Sequence, residues 1–118
     1  MNAAKIVIID DENDICYLLE NSLRKFDFKV YSFNTLMQGI NKLPELRPYL
    51  VFLDINLPDG NGLDALPEIK KAIPHSRIIL MSAYDSPVEK TKAIREGAEE
   101  FVSKPFRPIR SSAFFQRD

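Results

Sequence analysis

Tyr49-Leu50-Val51-Phe52-Leu53-Asp54 is an unbroken apolar run that ends on an acid, and Asp59-Gly60-Asn61-Gly62 follows it as turn chemistry. A strand with one wet face alternates apolar and polar residues. A run apolar at every step reads as a strand buried on both faces, as in the parallel sheet of an α/β domain. The acid at its end then lies at the carboxyl edge of the sheet, where such folds build ligand sites.

Working outward, the same grammar recurs. Upstream, Lys5-Ile6-Val7-Ile8-Ile9-Asp10 is another apolar run ending in acids, and Lys29 to Phe33 is a shorter strand. Downstream, Arg77 to Met81 and Glu100 to Ser103 complete five strands. Helical periodicity fills the intervals. Ile15, Leu18, Leu19, Leu23 and Phe26 make one stripe. Leu36, Ile40 and Leu43 make a second, with Asn34 as the expected cap and Pro44 as the expected stop. Leu63, Leu66, Ile69 and Ile73 make a third, in which Pro67 is tolerated if the helix starts near Asp64. Ser86-Pro87-Val88-Glu89 opens a fourth as cap, first residue and capping box, with Lys92 and Arg95 in its last turn and Gly97 as its stop. Its apolar stripe is thin: Val88 and Ile94, with Ala93 beside them. Five strand–helix repeats predict a single α/β domain over residues 1–118, with a five-stranded parallel sheet covered by helices on both faces.

The chain has 118 residues, enough for one real core. Its net charge of −1 gives no reason to expect nucleic acid or an anionic membrane as partner. Cys16 is the single cysteine, which excludes an internal disulfide, suits a reducing compartment and is expected to be a buried or half-buried apolar residue. No apolar run is long enough to span a bilayer, and Met1 to Lys5 lead straight into a strand. Cytoplasm is the expected location.

The residues just beyond each strand carry the chemistry. They are Asp10, Asp11 and Glu12 after the first, Asp54 at the end of the third, Ser82 after the fourth, and Lys104-Pro105 after the fifth. Carboxylates gathered on one edge repel unless a cation sits among them. A hard divalent ion fits oxygen ligands, and Mg²⁺ also keeps waters and shares a phosphate oxygen. Each residue alone has a plainer reading. Glu12 is expected to be helix N-terminal charge, Ser82 alone would be a turn residue, Lys104 alone a solvated charge, Phe101 alone core, and His75 an exposed loop residue.

Four segments taken in order, Ile8-Ile9-Asp10-Asp11-Glu12, Leu53 to Gly62, Leu80-Met81-Ser82-Ala83 and Phe101-Val102-Ser103-Lys104-Pro105-Phe106, resemble the receiver domain of two-component signalling over residues 5–106. The resemblance implies a flavodoxin-like strand order, 2-1-3-4-5. It implies that Asp54 accepts a phosphoryl group from the phosphohistidine of a sensor histidine kinase or from a phosphotransfer protein. Mg²⁺ would be held by Asp11, Asp54 and the backbone carbonyl of Asn56, with Asp10 acting through water. Lys104 would pair with the phosphoryl oxygens, and Ser82 and the Ala83 N–H would engage them on switching, with Phe101 following Ser82. Gly62 and a cis bond before Pro105 would shape the loops. Such a domain is a regulatory phosphoprotein rather than an enzyme, a monomer or weak dimer that serves an output domain or protein outside this chain.

Two rivals share the sheet edge. A haloacid-dehalogenase-like phosphatase also uses an aspartate nucleophile, but after the first strand, with a second Asp two residues on; residue 12 is Glu and no cap region is present. A flavin module would need a glycine- and hydroxyl-rich phosphate loop where Asp10-Asp11-Glu12 stands. The segment 107–118 is the least legible. A short helix from about Pro108, bearing Ile109 and Ala113, is expected to leave Phe114 or Phe115 exposed.

Overall fold

In the computed structural model, which describes residues 4–104, every apolar run becomes a strand. β1 (Ala4–Ile9), β2 (Phe28–Phe33) and β3 (Leu50–Asp54) come first, then a short antiparallel hairpin of β4 (Asn56–Leu57) and β5 (Gly60–Asn61), then β6 (Arg77–Ser82) and β7 (Glu100–Ser103). The main sheet is parallel throughout, in the order β2-β1-β3-β6-β7. That is the expected order, 2-1-3-4-5. The helices are α1 (Asn13–Leu23), α2 (Leu36–Leu46), α3 (Gly62–Ala72) and α4 (Pro87–Arg95).

Two-residue periodicity divides the core between two faces. Ile6, Ile8, Leu50, Phe52, Ile79 and Met81 point to one side, against Ile15, Cys16, Leu19 and Leu23 of α1. Val7, Ile9, Val51, Leu53, Ile78 and Leu80 point to the other, against α2, α3 and Ala93 of α4. Burying one such aliphatic side chain stabilises the fold by about 1.5–3 kcal/mol. The central strand β3 is buried at all five positions, which is why its sequence shows no alternation. Among the described residues, no helix is long and apolar enough to cross a membrane.

Several local expectations change. Thr35, not Asn34, caps α2, accepting from Gln38 N at 3.2 Å. Pro44 does not stop that helix, which runs on to Leu46 and ends at Arg47 in the left-handed region (φ 46°). Pro44 stands on the exposed face, while buried Leu43 and half-buried Leu46 hold the last turn down. α3 starts at Gly62, capped by Asn61, two residues before the expected start. Pro67 therefore sits in its interior, again on the solvent side. Ser86 does cap α4, accepting from Glu89 N at 3.2 Å. The expected apolar stripe of α4 is largely out in solvent: Val88 is 79% exposed, Ile94 is also exposed, and Ala93 is the buried residue. Phe26 lies past the end of α1 but still packs on that face of the core. Pro105 and the whole segment 106–118 lie outside the described residues.

Candidate functional site: an acidic cluster at the carboxyl edge of the sheet

Strand parity aims the key side chains. Asp10 continues the Ile6, Ile8 series, Asp54 the Leu50, Phe52 series, and Lys104 follows Val102 by two, so all three fall on the α1 side of the sheet. Register then brings them together. Ile9 pairs with Leu53, so Asp10 and Asp54 are the next positions along neighbouring strands. Lys104 N donates to Ser82 O at 2.7 Å, which extends the β6–β7 pairing to the lysine. Its Nζ lies 2.7 Å from Asp10 Oδ2, 2.7 Å from Glu12 Oε1 and 3.3 Å from Asp54 Oδ2.

Asp10 is fully buried and Asp54 is 3% exposed, whereas Glu12 reaches out into solvent. Burial pushes the Asp54 carboxyl up to about 6, and the negative charge of Asp10 adds to the shift. Burial also raises Asp10, against the opposing hydrogen bonds from Lys104 and the Glu12 N–H. Burial would by itself lower Lys104; its hydrogen bonds to Asp10 and Glu12 and the carboxylate charges outweigh that and hold the ammonium well above the usual lysine range.

Three carboxylates, Asp10, Glu12 and Asp54, present oxygens close enough together to share one cation. Against Lys104 they leave two formal negative charges, the complement of one divalent ion. Asp10 Oδ1 accepts from Glu12 N at 2.8 Å. Its Oδ2 is buried and has the Lys104 ammonium 2.7 Å away as its ion-pair partner. Three carboxylate oxygens gathered this closely, with one ammonium between them, fit an oxygen-seeking divalent cation.

The sequence-predicted residues fall in three groups. Asp10, Asp54 and Lys104 are in direct contact. Ser82 is buried on the next strand, of the opposite parity, and its Oγ accepts from Tyr84 N at 3.1 Å; half-buried Phe101 packs into the core on that same side. Asp11, Asn56 and Ala83 are exposed at the rim, and the Asp11 carboxylate is not among the three that cluster. Asn56 N donates to Asp54 Oδ1 at 3.4 Å. Gly62 has a steric reason: a Cβ there would stand 2.2 Å from Asp54 O, so α3 begins where only a hydrogen fits. Glu12 lies at the start of α1, as expected, but has a contact that its sequence position does not show. It precedes α1 as the cap position, yet its side chain makes no cap bond and instead reaches Lys104. Nothing local signals that contact, because the partners are 92 residues apart. Cys16 is buried as expected, and burial, with Asp10 nearby, pushes its thiol up to about 11, against formation of the thiolate. His75 is exposed.

Comparison with known proteins gives this geometry a family. The chemotaxis protein CheY of Thermotoga maritima is 35% identical over 107 residues, which cover 90% of this chain and 89% of that protein. A solved CheY-like receiver domain protein from Methanospirillum hungatei JF-1 superposes with a TM-score of 0.84 at 26% identity, covering 91% of this chain and 86% of the other. The BeF3-activated receiver domain of DrrB, a Thermotoga maritima OmpR/PhoB homologue, gives 0.82 at 29% identity, covering 91% and 89%. These likenesses do not favour the phosphatase reading. The profile of the response regulator receiver domain matches residues 6–113, and this chain belongs to that family.

Proposed function

We propose that Asp54 accepts a phosphoryl group in a Mg²⁺-dependent reaction and that its charge is read by Lys104 and Ser82. The observation that carries this is the near-buried Asp54 carboxylate at the carboxyl end of β3 with the Lys104 ammonium 3.3 Å away. In the transfer, an Asp54 carboxylate oxygen forms a bond to phosphorus as the phosphorus–nitrogen bond of a donor phosphohistidine breaks, and the imidazole leaves with a proton. Phosphoryl transfer asks for in-line positioning and charge neutralisation more than for covalent help. Asp11, Asp54 and the Asn56 carbonyl would hold Mg²⁺, with Asp10 acting through water. The ion supplies neutralisation of the charge that builds up on the phosphoryl oxygens.

Lys104 holds a positive charge 3.3 Å from Asp54 Oδ2. On phosphorylation it turns from the carboxylates toward a phosphoryl oxygen. Ser82 gives up its contact with Tyr84 N to donate its hydroxyl, the Ala83 N–H joins it, and Phe101 follows into the space vacated. The donor is a sensor histidine kinase or a phosphotransfer protein, and the reader is an output domain or protein. Acetyl phosphate, a small-molecule donor, tests the scheme. Uptake of one phosphoryl group per chain that requires Mg²⁺ and stops with a chelator is the expected result. Steady release of phosphate from many monoesters, with no phosphoprotein formed, would overturn it in favour of a phosphatase.

A further inference from the structure

The two acidic ends of the site are joined through a loop that carries none of the carboxylates. Asp10 closes β1. Its N–H donates to Phe33 O at 2.9 Å, and its carbonyl accepts from Asn34 Nδ2 at 3.0 Å. Asn34 also donates to Asn13 Oδ1 at 3.3 Å. Two residues later α2 begins. Thr35 satisfies the third N–H of that helix, Gln38. The first two, Leu36 and Met37, donate to a residue more than twenty positions away: Leu36 N to Asp59 Oδ1 at 2.8 Å and Met37 N to Asp59 Oδ2 at 2.9 Å. These are the orphan donors of the helix, and a carboxylate there also meets the positive end of the helix dipole. Both bonds hold the Asp59 carboxyl below its ordinary value.

Asp59 is the turn of the β4–β5 hairpin, whose first residue is Asn56. The hairpin is held down by buried Leu57 and pressed against α2, since a Cβ on Gly60 would stand 2.8 Å from Leu36 Cδ2. A cap drawn from the helix's own loop would serve α2 equally well. One drawn from the hairpin ties the loop after β3 to the loop after β2, and Asn34 ties the latter to the end of β1.

We infer that Asn34 and Asp59 are positioning residues for the cation site: together they form a strap that fixes Asp10 relative to Asp54 and Asn56. The inference rests on the proposed reading of these residues as a divalent-cation site. Residues that orient metal ligands without touching the metal typically change affinity by about 10–100-fold when removed.

The test is a Mg²⁺ titration followed by ¹H–¹⁵N NMR on the parent, Asp59→Ala, Asp59→Asn and Asn34→Ala. Spectral dispersion reports folding in the same samples. Asp59→Ala and Asn34→Ala should each weaken Mg²⁺ about tenfold while the spectra stay dispersed. Asp59→Asn keeps an acceptor without the charge and should fall nearer the parent. Asn34→Ala alters no charge, so its effect cannot be electrostatic; should Asp59→Ala fail to fold, Asn34→Ala decides alone. Parent-like affinity in Asn34→Ala and Asp59→Ala would overturn the strap and leave the cation reading standing. An unaffected Asn34→Ala with Asp59→Asn as weak as Asp59→Ala would reduce the effect to charge and also overturn it. A parent that does not respond to Mg²⁺ would overturn the cation reading and the strap with it.

Discussion

At the scale of single residues, the site is arranged at a cost to stability. Asp54 is nine-tenths buried and lies beside a second buried acid, so its folded pKa, about 6, is above its unfolded value. Between about pH 4 and 6 the folded state therefore binds more protons than the unfolded one. This stabilising contribution is present at low pH and is lost as pH rises through about 6. Asp54→Asn should accordingly stabilise the metal-free protein at pH 7.5, by on the order of 2 kcal/mol. The gain should shrink toward zero near pH 4. Urea unfolding in EDTA at the two pH values checks it, and a gain independent of pH would contradict the cause given. Glu12 makes a second prediction. Its exposed carboxylate holds Lys104 by one of three contacts and so competes with any phosphoryl oxygen for that ammonium. Glu12→Gln should tighten beryllofluoride binding, by about two- to five-fold, the range of an exposed ion pair. In a Lys104→Gln background the difference should vanish; if it persists, Glu12 acts by general repulsion and not through the lysine.

At the scale of elements, the strands and the helices were not equally legible. The central strands were readable because burial on both faces leaves nothing but apolar residues before the closing acid, as in Leu50–Asp54; the edge strands β2 and β7 are shorter apolar stretches broken by polar residues. Helix ends were harder. Pro44 read as a stop and Pro67 as a first-turn residue, but both lie on the wet side of helices held by Leu43 and by Leu66 and Ile69. Packing outweighs a missing hydrogen bond there. Among the described helices, α4 has the thinnest apolar stripe in its sequence and buries the fewest residues, Ala93 alone. Its amides should exchange faster than those of α1, α2 and α3 in native-state hydrogen exchange. Val88→Lys should change stability by less than about 0.5 kcal/mol. Protection in α4 equal to that in α1 would contradict this. At the start of α3, Gly62→Ala should cost about 1–3 kcal/mol, since the added methyl meets the backbone of Asp54. It should also slow phosphoryl uptake by shifting that strand end; a variant of parental stability and rate would remove the steric reason given for this glycine.

At the scale of the whole molecule, the two ends of the sheet have different work. At the amino-terminal end, Arg77 is bonded to Glu99 and to the Tyr49 hydroxyl and lies over the Tyr49 ring, fastening the starts of β3 and β6 to the entry into β7. At the carboxyl-terminal end, three carboxylates face a single lysine. The strand pattern made this polarity visible, because Asp10 and Asp54 end apolar runs and Glu12 and Lys104 stand just beyond strands. What it left hidden were the contacts made across the chain: Glu12 with Lys104, Asn34 with Asp10, Asp59 with the start of α2. No local pattern encodes these, since each depends on strand order and on where two loops happen to meet. The most direct measurement of the central claim is the intact mass of the protein after acetyl phosphate and Mg²⁺, followed by peptide mapping. The expected result is the mass of one phosphoryl group, located on Asp54, removed by hydroxylamine and absent from Asp54→Asn. A phosphoryl group located elsewhere, or equal uptake by Asp54→Asn, would contradict it.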